Sequence, residues 1–204
     1  MTMLMRTEAL VVVVEPSPAN LYHLTSTLRR AADTRHDLHG RVLVLPFAAG
    51  TGTFRTTLYT AYQNSGNSVV GTRSPLVRDH EGQQMDEQYA IETHALDDLM
   101  DASHQRLLKL DVQGYECRAL QGMARMLASV RTVKAEAADR WLRGHGCSSA
   151  RLLDILSRSG FLVNTTYPPA CVYQRYGCDV IVHRSNRSTC HWKTLVDARE
   201  CVPL

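Results

Sequence analysis

Residues Arg106 to Met123, "RLLKLDVQGYECRALQGM", decide how the rest of the chain is read. The stretch opens with an apolar run of strand length, "LLKLDV", interrupted by Lys109 and Asp111. It then passes Gly114 into a segment whose apolar residues recur at helical spacing. Charge at the end of a buried strand is costly unless it is paired or used. Lys109 and Asp111 lie two apart, so in a strand their side chains point to the same face. Spacing alone leaves two readings open. One is a partly buried ion pair, or a lysine snorkelling to the sheet edge. The other is a pair of groups reaching a crevice from the carboxyl end of a strand, with Gly114 allowing the tight turn that follows.

The same alternation of strand-length and helix-like segments runs outward in both directions, as parallel βαβ units require. "ALVVVV" (9–14) is rich in β-branched residues and ends at "EPSPAN", where Ser17 can cap a helix with Pro18 at its first position. Leu21, Leu24 and Leu28 share one face of that helix. "RVLVLPFAAG" (41–50) is the next strand. Residues 51–73 alternate polar and apolar side chains and predict short antiparallel strands or an ordered loop, and 74–88 read as a polar surface excursion. "YAIETHALDDLMD" (89–101) predicts a short strand and a short helix capped by Thr93. "YECRALQGMARMLASV" (115–130) predicts one helix with Leu120, Met123, Met126 and Leu127 inside. "RTVKAEA" (131–137) is a strand, "SSARLLDILSRSG" (148–160) a helix closed by Gly160, and "FLVNTTY" (161–167) and "CDVIVHR" (178–184) are further strands. The expectation is a mostly parallel α/β sheet in one domain over residues 1–184, with an irregular tail at 185–204.

A length of 204 residues suits one domain with a substantial core. The net charge of +3 is small and scattered, and no basic block is interleaved with aromatics, so nucleic acid is not expected as a partner. The longest apolar run, Ala9 to Val14, is far too short to span a bilayer. The N-terminal "MTMLMRTEALVVVVEP" has little of a secretory signal, which favours a cytoplasmic location and makes the sequons at Asn164 and Asn186 accidental. The six cysteines form no CxxC pair. The spacing of Cys171, Cys178, His183, Cys190 and His191 matches no common zinc site, so free cysteines and no metal are expected.

In an open parallel sheet, ligands bind outside the carboxyl ends of the strands. Four predicted strands end there in polar or permissive residues: at Glu15, at Phe47-Ala48-Ala49-Gly50, at Asp111 and at Glu136. A carboxylate just past a first-unit strand is placed to accept both hydroxyls of a ribose. The alternative for Glu15 is charge complementing the N-terminus of the helix behind it, and for Glu136 an ordinary acidic surface turn.

The order of these features resembles that of the FkbM-type methyltransferases, which use S-adenosylmethionine. The resemblance covers about residues 9 to 183 and rests on "VVVVEPSPANLYHL", "LPFAAGTGTFRTTLY", "SGNSVVG" (65–71), "IETHALDDLMD" and "LLKLDVQGYECRALQG". The last keeps the pattern Lys-x-Asp-x-x-Gly-x-Glu whole as Lys109, Asp111, Gly114 and Glu116, with Gln113 where the family usually has glutamate. The resemblance implies a Rossmann-like, doubly wound, mostly parallel sheet and S-adenosylmethionine as cofactor. It implies that Glu15 takes the ribose, that Phe47 and Ala48 contact the adenine through backbone groups, and that Lys109 and Asp111 close the strand lining the cofactor and substrate crevice. The implied reaction is O-methylation of a small-molecule or glycan hydroxyl, with Asp111, Glu136 or a histidine accepting the proton.

One feature of the family is not matched. The family carries a strand, a glycine-rich turn and a helix before its acid strand, whereas "MTMLMRTE" contains no glycine. The chain is therefore expected to be either a fragment or a degenerate homologue acting as a binding or scaffold domain, with apolar sheet surface left exposed. A nicotinamide-dependent dehydrogenase fits less well, because its glycine fingerprint is equally unmatched and the downstream motifs fit worse.

Overall fold

The structure is a computed structural model that describes residues 9–38, 40–61, 64–71, 85–101, 105–163 and 179–184. The valine run Val11–Val14 forms β1, and Val42–Leu45 forms β2 beside it in parallel, with Val11 opposite Val42 and Val14 opposite Leu45. Between them runs α1, Pro18–Thr34, begun as expected by Ser17, whose hydroxyl accepts from the Asn20 N–H at 3.4 Å. Leu21, Leu24 and Leu28 are half-buried along it. Val12 and Leu43 are register partners and both exposed, so among the described residues one face of this two-stranded sheet presents apolar surface.

Pro46, which offers no amide to a ladder, separates β2 from β3, Ala48–Ala49. Phe54–Ala61 (β4) and Asn64–Val70 (β5) form the expected antiparallel pair. Met85–His94 (β6) completes a sheet ordered β3-β6-β4-β5. The surface excursion predicted for 74–88 is thus strand from Met85 onward, and its earlier residues lie outside the described ones. Thr93 caps no helix: it is a buried strand residue whose hydroxyl donates to the Gly52 carbonyl at 2.8 Å. Ala95 precedes the 3-10 turn Leu96–Asp98 instead.

The third sheet is ordered β7-β8-β10-β9, from Leu107–Leu110, Thr132–Glu136, Asp179–Arg184 and Phe161–Leu162. The doubly wound parallel sheet is therefore not what the described residues form. Pairing is parallel for β1 with β2, β3 with β6 and β7 with β8, but antiparallel for β4 with β5 and β6, and for β10 with β8 and β9. The molecule is a mixed α/β fold with several sheets.

The helix predicted over 115–130 is two short ones, Glu116–Gln121 (α2) and Ala124–Leu127 (α3). Gly122 ends the first at a place where a Cβ would lie 1.7 Å from the Gly50 carbonyl oxygen. Asp97 starts the second, its carboxylate accepting from the amides of Arg125 at 2.7 Å and Met126 at 2.8 Å. Asp139–Gly144 (α4) is not among the predicted elements; Ser149–Arg158 (α5) is the helix predicted over 148–160, and the structure adds Ser148 as its cap. Leu120, Met123, Met126 and Leu127 do face inward. They pack with Leu142, Leu152 and Leu156 against Val133, Ala135 and Val180 in the main core. Burying Leu152 and Leu156, one helical turn apart on α5, contributes about 1.5–3 kcal/mol each.

Two cysteines depart from expectation. Cys117 at the start of α2 and Cys147 before α5 form a disulfide, Cα atoms 6.4 Å apart, which a reducing compartment would open. Of the rejected zinc cluster only His183 is described, and its Nδ1 lies 2.9 Å from the Thr132 hydroxyl. Among the described residues no helix is long and apolar enough to cross a membrane.

Candidate functional site

At the exit of β7 the chain makes a turn that holds three carboxylates close together. Gln113 and Gly114 both have positive φ, +51° and +96°. At Gly114 a Cβ would meet the Trp141 carbonyl oxygen at 2.4 Å, so both the backbone conformation and the packing require glycine there. The amides of Val112 and Gly114 donate to Glu116 Oε1 at 3.1 and 3.2 Å, tying the turn to the first residue of α2.

Lys109 and Asp111 point the same way, as their spacing demands, and Lys109 Nζ lies 2.9 Å from Asp111 Oδ2. The strand is not buried, however: β7 is the edge of its sheet, and the two side chains are 63% and 41% exposed. An ion pair so placed adds about 0–1 kcal/mol, so stability does not explain its presence. The second Asp111 oxygen, Oδ1, accepts from Gln113 Nε2 at 3.1 Å, and the same amide donates to Glu136 Oε2 at 3.3 Å. Gln113 thus ties the end of β7 to the end of β8.

Glu136 is half-buried. Loss of water, reinforced by the negative charges of Asp111 and Glu116, pushes its carboxyl up to about 7. Glu116 is 1% exposed, and its Oε2 has no hydrogen-bond partner among the described residues. Burial pushes it up to about 7 as well, against the lowering effect of the amides it holds. Two groups that exchange protons near neutrality therefore stand beside the turn, Glu116 at the start of α2 and Glu136 at the end of β8.

Glu15 follows β1. Its Oε1 accepts from the Ser17 amide at 2.7 Å, which is the helix-start role weighed from sequence. Burial raises its pKa, with Ser17 and the Asn20 side chain acting in the other direction. The carboxylate has lost much of its water, and among the described residues it accepts from the Ser17 amide and the Asn20 side chain.

Phe47 lies edge-on to His94 with ring centroids 4.6 Å apart. His94 in turn has Nδ1 3.0 Å from the Thr53 hydroxyl and Nε2 3.4 Å from Glu92. Ala48 is buried as a whole residue and packs with Leu58, Ile91 and Tyr115. β3 is the edge of its sheet, with β6 on one side only. Val14, Phe47 and Val112 all pack on the main core, and Val112 also packs with Ala48's cluster. The ends of β1, β3 and β7 therefore share one packed base, while Asp111 and Glu136 are linked directly through Gln113.

Gln113 is the residue whose part sequence reasoning missed. A non-glycine residue immediately before a glycine, both at a strand-to-helix turn, was the available signal. The buried state of Glu116 left none, since a glutamate in the first helical turn is ordinary helix chemistry. A recess of about 390 Å³ opens between β4 and the turn after α4 and is not signalled by the sequence.

A comparison with curated protein sequences gives no match. Among solved structures, the crystal structure of methyltransferase FkbM from Methylobacillus flagellatus KT is similar, with 21% identity over 85% of this chain and a TM-score of 0.48. This chain spans 36% of that protein. The family model of the methyltransferase FkbM domain matches residues 2–163, which takes in Glu15, the β7 turn and Glu136. The chain belongs to the FkbM methyltransferase domain family.

Proposed function

We propose that the protein is an S-adenosylmethionine-dependent O-methyltransferase acting on a small-molecule or glycan hydroxyl, through one domain over residues 1–184. The observation that carries the reading is the β7 turn of a family member. A motif-borne aspartate there is exposed, fixed by Lys109 and Gln113, and joined to a second carboxyl that titrates near neutrality.

The residues present fit the cofactor. Glu15 is a half-buried carboxylate following β1, suited to ribose hydroxyls, and β3, buried at Ala48 but paired on one side only, would lie beside an adenine. Phe47 is held by His94 beside that edge. When bound, S-adenosylmethionine supplies a methyl group on a positively charged sulfur.

The chain's own work is orientation and proton handling. Methyl transfer is an in-line displacement, so fixing the acceptor contributes most of the acceleration. Asp111 accepts the acceptor's hydroxyl hydrogen bond and orients it, with Lys109 and Gln113 setting the carboxylate's rotation. Glu136 takes the proton as the oxygen loses it, because a carboxyl at about 7 is matched to that transfer at neutral pH. Gln113 donates to Glu136 and Asp111 together and so holds the two at a constant separation.

Calorimetric titration of the protein with S-adenosylmethionine tests the reading. Saturable binding that weakens in Glu15→Gln supports it. No heat from the parent protein, with its fold intact by circular dichroism, leaves the binding-domain alternative in its place.

A further inference from the structure

The recess of about 390 Å³ lies apart from Lys109, Asp111 and Glu136, between β4 and the stretch joining α4 to α5. Phe54 and Thr56 of β4 line it together with Tyr115, Arg118 and the turn Gly144-His145-Gly146. No carboxylate lines it. Its size is that of a small-molecule site and exceeds what a single ion needs.

Arg118 is exposed, and its guanidinium stands 5.6 Å from the centroid of the Tyr115 ring. It has no carboxylate partner among the described residues. A guanidinium placed over an aromatic face keeps its edge N–H groups available in a fixed fork. The His145 ring meets Tyr115 edge-on, centroids 5.3 Å apart at 88°, and its nitrogens have no hydrogen-bond partner among the described residues. Burial, and then the Arg118 charge, hold the His145 imidazole below its ordinary pKa, and the neutral ring they favour donates from one nitrogen. Thr56, a hydroxyl-bearing residue, also lines the recess.

We propose that this recess is an anion subsite that binds the phosphate or carboxylate group of a small molecule between Arg118, His145 and Thr56. Arg118 forms two parallel N–H to oxygen bonds, the geometry in which guanidinium binds such groups best. His145 and Thr56 donate to the remaining oxygens, and Phe54 and Tyr115 cover the uncharged part of the molecule. The site is coupled to the β7 turn: the His145 ring comes within 2.9 Å of where a Gly114 Cβ would be, and Tyr115 follows Gly114 directly. The inference goes beyond methyl transfer and needs no methyl donor.

The test is nuclear magnetic resonance of the histidine ring protons while inorganic phosphate or, separately, acetate is added at constant ionic strength set with chloride. Phosphate is expected to shift the His145 resonances saturably in the millimolar range. Acetate alone doing so assigns the site to carboxylates and keeps the proposal. Arg118→Gln, at an exposed position that does not endanger folding, is expected to weaken the response at least about tenfold, the effect of losing a charged bidentate partner, and Thr56→Val to weaken it less. No saturable shift with either anion, or an equal response in Arg118→Gln, overturns the proposal.

Discussion

Replacing Glu116 with glutamine separates the shape of a buried carboxyl from its charge. Oε1 holds the amides of Val112 and Gly114, and Oε2 is buried with no partner among the described residues. Burial carries the group from 4.5 to about 7. The folded protein therefore keeps a proton, between those two values, that the unfolded chain has released. The stability this group contributes is complete below pH 4.5, declines as pH rises to about 7, and is constant above. At about 1.4 kcal/mol for each tenfold change in proton affinity, the decline amounts to roughly 3 kcal/mol. Glutamine keeps an oxygen for the two amides and sets an NH2 where the protonated Oε2 stood, so the variant resembles the parent with Glu116 neutral. Urea unfolding followed by Trp fluorescence would be run on both proteins at about pH 5 and about pH 8. The two should be close in stability at the lower pH, and Glu116→Gln should be more stable by about 3 kcal/mol at the higher. Taking the difference between the proteins cancels the titration of Glu15 and most of that of Glu136. A difference that stays the same at both pH values would falsify the reasoning, because Glu116 would then titrate in the fold as it does in water.

Glu15→Gln should weaken S-adenosylmethionine binding by about 1–3 kcal/mol with the melting temperature nearly unchanged; equal affinity by calorimetry removes Glu15 from the ribose. Asp111→Asn should change stability by less than about 1 kcal/mol, since its ion pair with Lys109 is exposed, yet abolish methyl transfer. Early melting with normal turnover would instead make Asp111 a structural residue. Gly122→Ala should destabilise the protein by about 3 kcal/mol or more, because the added methyl meets the Gly50 carbonyl and forces apart backbone that cannot yield locally. A melting curve matching the parent's would contradict that close approach.

The sequence by itself determined the features that depend on neighbours in the chain. The valines of β1, the Ser17 cap with Pro18 behind it, the inward row from Leu120 to Leu127, the helix before Gly160 and the shared direction of Lys109 and Asp111 all follow from local dihedral preference and period. The Lys-x-Asp-x-x-Gly-x-Glu motif likewise marked the β7 turn and the family. Tertiary structure decided what depends on segments brought together from far apart. It set β10 antiparallel to β8, so that the sheet is mixed, and split one predicted helix by placing Gly122 on Gly50 and Asp97 at the start of α3. It paired Cys117 with Cys147 across 30 residues. It also put Lys109 and Asp111 on an exposed sheet edge and made Glu116 the buried carboxyl. The physical reason is that the energy of a charge or a hydrogen bond depends on its surroundings, and spacing along a chain does not specify burial. Gln113 shows this most plainly: a glutamine in a turn becomes the link between two carboxylates only because β8 runs parallel to β7 and brings Glu136 within 3.3 Å of its amide.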